Sequence, residues 1–453
     1  MYVSIASRAG GRKYLSIVHG YRDENGKVRK KTIRSLGYLD ELEKEYEDPI
    51  AHFKAVAKEM DTQRKQETSG YDLCINQQEK LSVGTDNMKN FGYAALSKIY
   101  HELELDSFLK NRQRHTEDTF DANAVLQALT YLKIVAPAAD STFFIDRELF
   151  FEKNSGTEDE FYQGLMFLYH LKHPLHSWIN EHITKAGMRE DTMVYYSIHN
   201  YCSPSHVIRI GVFTDRALMP VTYDLFPCTS NYTSTYRPNF PEIKKRFHMK
   251  RMITVSNKAV NNGDNIWKIL NTPTQDGYIF NIPAHSADRD LKQYILKDDD
   301  YEWVGEDYKR KSRTYSRLID ITQEDGRIIS KVIKEKQVIF YSEKYAKRAK
   351  DSVLDGYHIL LTSECEESDD SIIEMYRGLW KAEKAFHLTK QQLEARPSSI
   401  SVHDFIEIHL LSCFTAMVLM RILQRKAKDR YSIAQLKYSL TRANCIHIQE
   451  NLY

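Results

Sequence analysis

Residues 371–390 are SIIEMYRGLWKAEKAFHLTK, and the rest of the chain takes its meaning from this stretch. It has the pattern of one helix. Tyr376, Glu383 and Lys390 recur at intervals of seven, close to two helical turns, so they share a face. Leu379, Trp380, Ala382, Phe386 and Leu388 supply apolar packing beside that row. A carboxylate between a tyrosine and a lysine on such a stripe has a plain reading, a buried acid paired with a lysine. It also has a functional one, an acid kept for chemistry. The helix alone favours the plain reading, and the surrounding sequence shifts the balance.

The chain has 453 residues, enough for a large core and two to four domains. With 28% charged and 42% hydrophobic residues it has a globular composition, which excludes a disordered chain. Lys and Arg number 64 against 62 Asp and Glu, so any affinity for nucleic acid must come from local patches. The six cysteines are scattered without a CxxC pair, which argues against a disulfide framework or a cysteine zinc site and fits a reducing cytoplasm. The opening MYVSIASRAGGRKY lacks the apolar core of a signal peptide. The longest apolar run, 410–423, contains Ser412, Thr415 and Arg421. It falls short of the ~20 residues of a membrane span and is expected to be a buried core helix.

Residues 1–70 are expected to form a basic β-hairpin followed by a helix. Tyr14 to Tyr21 and Lys27 to Arg34 are strand-like, with Asn25-Gly26 as a two-residue turn between them. Nine Lys or Arg fall between Arg8 and Arg34, against two acids, Asp23 and Glu24. Arg12, Lys13, Arg29, Lys30 and Lys31 are therefore candidate phosphate contacts, the alternative being a solvated edge hairpin kept soluble by lysines. Residues 71–190 are helical by pattern and show no catalytic constellation. From 191 the texture changes. Strand patterns at 193–198, 207–213 and 221–226 are followed by a helix at about 239–247, a strand at 252–256 and a helix opened by Asn261-Asn262-Gly263. Residues 277–350 look like a β-rich insertion, and 351–453 complete the core with the quoted helix and C-terminal helices. Three antiparallel strands, a helix and a further strand is the order of a ribonuclease-H-like core. The expected fold class is thus α+β, a mixed sheet flanked by helices.

With these segments in place the sequence resembles bacterial insertion-sequence transposases of the DDE superfamily, in the group with a Tyr-x2-Arg-x3-Glu-x6-Lys signature. That signature falls on Tyr376, Leu379, Glu383 and Lys390. The hairpin, Asn90-Phe91-Gly92, Ser342 to Arg348, Asp355-Gly356-Tyr357 and Leu393 to Pro397 look like family segments as well. The resemblance implies double-stranded DNA with terminal inverted repeats as the partner, a homodimer that brings two ends together, and no membrane. It also implies metal-dependent cleavage and strand transfer, in which two Asp and one Glu hold Mg²⁺ or Mn²⁺.

The sequence departs from that pattern at the acids. By register the first Asp position is Tyr196 and the second Asn257; only Glu383 keeps its carboxylate, and the signature arginine is Leu379 with Arg377 nearby. Each missing charge removes roughly 8 kcal/mol of attraction to a divalent ion at 4 Å and an effective dielectric of ~20, before desolvation. Asp191, Asp215 and Asp264 are the nearest substitute acids. Lys258, Tyr376, Arg377, Trp380, Lys390 and Arg396 are candidate DNA contacts, by charge or by base stacking. Arg421 to Arg442, with seven Lys or Arg and one acid, form a second basic stretch. The expected function is a transposase-family DNA-binding protein with impaired catalysis, using Mg²⁺ or Mn²⁺ if active and no cofactor otherwise. The alternatives are a captured transposase acting as a non-enzymatic DNA-binding or regulatory protein, and a decayed element product.

Overall fold

The computed structural model describes residues 2–7, 12–22, 28–44, 46, 48–67, 88–114, 119–136, 149–151, 156–189, 193–202, 207–227, 240–257, 261–305, 308–323, 325–342, 353–385 and 402–446. They belong to two compact units, Met1–Leu73 and Cys74–Tyr453.

In the first unit β1 (Tyr2–Ser7), β2 (Lys13–Arg22) and β3 (Val28–Tyr38) form a three-stranded antiparallel sheet in that order. Alternation buries Leu15 and Ile17 on β2, and register shifts after each of them bend the ribbon. A short α1 (Leu39–Leu42) leads to α2 (Pro49–Glu67). Asp48 accepts from the Ala51 N–H at 2.9 Å and Pro49 opens the helix, the residue types that a helix start favours. Phe53 and Val56 of α2 close over Leu15, Leu36 and Leu42. The hairpin expected from sequence is present, pairing out to Arg22↔Val28, and β1 is an additional strand.

The second unit opens with β4 (Met88–Asn90), α3 (Tyr93–Glu102), α4 (Leu105–Gln113), α5 (Ala122–Val135), α6 (Glu158–His170) and α7 (Lys172–Lys185). Next come β5 (Met193–Cys202), β6 (Val207–Thr214), β7 (Pro220–Pro227), α8 (Phe240–Arg246), β8 (Arg251–Asn257), α9 (Gly263–Leu270), β9 (Gly277–Pro283) and α10 (Arg289–Leu296). The chain continues through β10 (Glu302–Val304), β11 (Tyr308–Thr322), β12 (Ile328–Tyr341), β13 (Tyr357–Thr362) and α11 (Asp369–Ala385). It finishes with α12 (Val402–Lys426), α13 (Ile433–Arg442) and β14 (Asn444–Ile446), and β14 pairs with β4. Asn90-Phe91-Gly92 close this unit. The buried Asn90 amide donates to the Leu440 carbonyl and the Asn444 side chain, both at 2.9 Å, and a Cβ on Gly92 would lie 2.2 Å from the Leu440 oxygen.

The large sheet has the order β10-β11-β12-β13-β9-β8-β5-β6-β7. β5, β8 and β9 are mutually parallel and every other pairing is antiparallel. The fold is therefore a mixed α+β one. Each parallel pair is joined through a helix, as a crossover demands. One face buries Val194, Tyr196, Met252, Tyr278 and Phe280 under α8 and α9. The other buries Tyr195, Ile253, Val255 and Ile279 under α11.

α12 is long and apolar enough to cross a membrane, yet most of it is buried within the protein, against α3, α5, α6 and β7. It is the core helix expected from its interrupted apolar run.

Candidate functional site

The quoted helix is α11, and its position is fixed at several points. Its first turn carries Asp369 and Asp370, charges that suit a helix N-terminus. Arg310 grips the Asp370 carboxylate with contacts of 2.7 and 3.0 Å, and the Tyr308 hydroxyl adds a third bond at 2.8 Å. Lys336 reaches Asp369 at 2.8 Å. Arg310 and Lys336 stand at the base of the β11–β12 hairpin, so this part of the insertion anchors the start of the helix. Further along, a Cβ on Gly378 would fall 2.3 Å from Leu218 Cδ2, so glycine lets the helix approach the β6–β7 turn. Arg216 of the same turn donates to the Ser371 hydroxyl at 2.8 Å.

Strand alternation corrects one sequence expectation. Tyr195, Ile253 and Val255 lie on the α11 face. Tyr196 lies on the other, fully buried, its ring 4.6 Å from Phe213 and 4.9 Å from Phe240. It rests on Gly211, where a Cβ would be 2.5 Å from the ring. Tyr196 is a core aromatic and does not face the helix that carries Glu383. On the strand backbone the next residue, Ser197, pairs with Val255, a residue of the α11 face. Asn257 ends β8, paired with Asn281 of β9. The side chains of Arg29, Lys31, Ser197, Asn257, Trp380 and Glu383 lie outside the described residues, as do Lys258, Lys390 and Arg396 altogether.

Two proposed DNA contacts on the helix are also corrected. Tyr376 is 1% exposed inside the core beneath α11, so its ring is not available to stack on a base. Arg377 turns toward the protein. Its guanidinium sits 4.3 Å from the centre of the Tyr308 ring and 5.3 Å from that of Phe340. His358 stacks on Phe340 at 4.7 Å, and burial, with Arg377 nearby, pushes its pKa down to about 4.

Two of the three substitute acids are committed elsewhere. Asp215 is fully buried, paired with Arg189 at 3.0 Å and accepting the Met219 N–H at 2.9 Å. Burial raises its pKa, against the pull of Arg189. Asp264 accepts the Thr322 N–H at 2.6 Å and ties α9 to β11. Asp191 lies outside the described residues. Among the described residues no three His, Cys, Asp or Glu side chains gather where they could hold a metal ion. The polar strand residues at or next to the expected acid positions are Ser197 of β5, paired with Val255, and Asn257 of β8, paired with Asn281. A neutral hydroxyl and a neutral amide do not offer the anionic oxygens that hard divalent ions require, so the donor set does not fit a pair of Mg²⁺ or Mn²⁺ ions.

In the N-terminal unit Lys13, Lys30 and Arg34 are exposed. Arg12 is different, gripping Asp40 and Glu41 at 2.9 and 2.7 Å over the Tyr38 ring at 3.9 Å, which raises its pKa and lowers that of Asp40. The C-terminal basic stretch is likewise partly used up. Lys426 pairs with Glu102 at 2.9 Å, Arg425 donates to the Met188 carbonyl at 2.7 Å, and Arg421 is half-buried and donates to Gln424 at 2.9 Å.

Comparison with known proteins gives one match to a family model. Residues 3–73 match the N-terminal domain of the IS1634 family transposase, a span that coincides with the first unit. No curated protein matches. Among solved structures, the chain is similar to a piggyBac transposase synaptic complex with hairpin DNA at 8% identity and a TM-score of 0.31, over 76% of this chain and 70% of that one. It is also similar to Marinitoga piezophila Argonaute with a guide RNA at 9% identity and a TM-score of 0.26, over 87% of this chain and 72% of that one. At these scores neither likeness carries an argument.

Proposed function

We propose that this protein is a DNA-binding member of the insertion-sequence transposase group whose cleavage chemistry is impaired. The observation that carries the reading is the match of residues 3–73 to a transposase N-terminal domain. Support for a ribonuclease-H-like core comes from the order β7-β6-β5-β8-β9, antiparallel in its first three strands and parallel in its last three. The β-rich insertion β10–β12 then lies between that core and α11, the helix bearing Glu383. Impairment follows from the acids. From strand alternation we infer that the first lost position is Ser197, one residue on from Tyr196, and the second Asn257.

Exposed Lys13, Lys30 and Arg34 on the first sheet would contact phosphates of double-stranded DNA, and a homodimer would hold two terminal inverted repeats together. The test uses labelled terminal DNA of the element in which the gene resides. Binding that weakens steeply with salt, without nicking in Mg²⁺ or Mn²⁺, is expected. Efficient cleavage abolished by Glu383→Gln would overturn the impaired reading, and failure to bind any DNA would overturn the whole.

A further inference from the structure

A cavity of about 850 Å³ lies between α8, α9 and the starts of β8 and β9. Its wall carries Lys244, Lys245, His248, Lys250 and Lys268, against one acid, Asp276. The sequence holds the signal in the run 244–251, KKRFHMKR, which no motif covers. Asp276 is already neutralised, since the Lys244 ammonium donates to it at 2.7 Å, and the Thr274 hydroxyl also donates to it at 2.9 Å. Lys245, Lys250 and Lys268 are exposed, and among the described residues Lys245 and Lys250 have no acidic partner.

The fold puts these lysines there by a specific device. His248 adopts a left-handed φ of 55°, and the Met249 N–H bonds back to the Lys244 carbonyl at 2.8 Å. The turn ends α8 and swings Lys250 toward the same space as Lys245 and Lys268. The plain alternative is that basic residues merely complement a helix C-terminus. It accounts for Lys244 and Lys245, the last-turn bases of α8, and for Lys268, the last-turn base of α9, but not for Lys250, which follows α8, nor for the convergence of all of them on one cavity.

The cavity lies at the N-terminal ends of β8 and β9, whereas Asn257 ends β8. The strand separates them by roughly 20 Å at ~3.3 Å per residue. The basic cavity is thus distinct from the α11 site.

We propose that this cavity is a second DNA contact, taking consecutive phosphates of the nucleic-acid backbone; it rests on the DNA-binding reading above. The donors are lysines on separate segments. They act as point charges suited to a line of phosphates, with no forked arginine free to fix one. A phosphate-bearing small molecule shares this chemistry and is separated by the test.

The experiment uses the full chain and a labelled duplex DNA titrated at several salt concentrations. Lys245→Glu with Lys250→Glu is compared with a control pair of equal charge change, Lys110→Glu with Lys185→Glu, which lies elsewhere on the surface. A milder Lys245→Gln with Lys250→Gln pair guards against misfolding. The cavity pair is expected to weaken DNA binding at least ~10-fold and make the salt slope shallower by about two, with the Gln pair intermediate. The control should stay within ~2-fold of wild type. Unchanged binding by both cavity pairs, or an equal loss in the control, overturns the inference while leaving the DNA-binding reading intact. Competition by a nucleoside monophosphate, lost in the cavity pairs, overturns it in favour of a nucleotide site. Wild type that binds no DNA fails the earlier reading and this inference together.

Discussion

Replacing Tyr196 by Asp and replacing Ser197 by Asp should have opposite consequences, because the two residues belong to different faces of one sheet. Tyr196 is fully buried between Phe213, Phe240 and Gly211. Removing an aromatic ring from such a site costs about 3–5 kcal/mol. Putting an unpaired carboxyl in its place adds several kcal/mol more, through desolvation or enforced protonation. The sum approaches the whole stability of a typical domain, about 5–15 kcal/mol, so Tyr196→Asp should lower the melting temperature severely or prevent folding. Ser197 pairs with Val255, a residue of the α11 face, two positions before Asn257. Ser197→Asp with Asn257→Asp restores two charges, each worth roughly 8 kcal/mol of attraction to a divalent ion at 4 Å before desolvation. That pair should fold and gain Mn²⁺-dependent nicking of terminal DNA that Glu383→Gln removes. The assays are thermal unfolding and a gel-based cleavage reaction. A Tyr196→Asp protein that melts like wild type and cuts DNA would refute the reasoning.

Four other outcomes are expected. His358 has a pKa of about 4 in the folded chain against an ordinary 6.5, so its stabilising neutrality is intact above pH 6.5 and lost as pH falls toward 4; the loss approaches ~3 kcal/mol, lessened by residual solvent, and His358→Gln should flatten denaturant midpoints across that window. Glu335, fully buried, accepts from Tyr278 at 2.7 Å, Tyr315 at 2.6 Å and Arg317 at 3.0 Å, so Glu335→Ala should cost about 3–5 kcal/mol in urea unfolding. A Cβ on Gly263 would meet the Asp320 carbonyl oxygen at 2.0 Å, whereas one on Gly378 would meet the flexible end of Leu218; Gly263→Ala should therefore destabilise by about 1–3 kcal/mol and more than Gly378→Ala, compared by melting temperature. Arg12 is bound to Asp40 and Glu41, so Arg12→Ala should change DNA affinity less than Lys30→Ala with Arg34→Ala in fluorescence anisotropy.

The elements of the sheet were legible because their apolar runs are strong. Met252 to Val255 and Tyr278 to Ile282 are mostly apolar, interrupted by Thr254 and Asn281 alone, and parallel strands covered on both faces have that pattern. The same property hid the phase of β5. Val194, Tyr195 and Tyr196 are all buried, so no polar alternation in the sequence says that Tyr195 points toward α11 and Tyr196 away from it. Tyr376 misled for a related reason. A tyrosine on an amphipathic helix suits a base-stacking role and a core role equally in sequence, and only the contacts with Ile372, Ile373 and Phe340 decide between them. Arg12 looked like part of a basic hairpin until Asp40 and Glu41, 28 and 29 residues away, came beside it.

The β11–β12 hairpin joins two places that are otherwise far apart. Its base holds the start of α11 through Arg310, Tyr308 and Lys336. Its outer half meets the start of α9, where Asp264 accepts from Thr322 and Gly263 presses on Asp320. β11 alone would extend over roughly 45 Å at ~3.3 Å per residue. The two helices lie on opposite faces of the sheet, and one of them lines the basic cavity through Lys268. The ribbon therefore behaves as a strut between the faces. A disturbance made at Gly263 is expected to reach the first turn of α11 through the paired strands, where hydrogen exchange would register it.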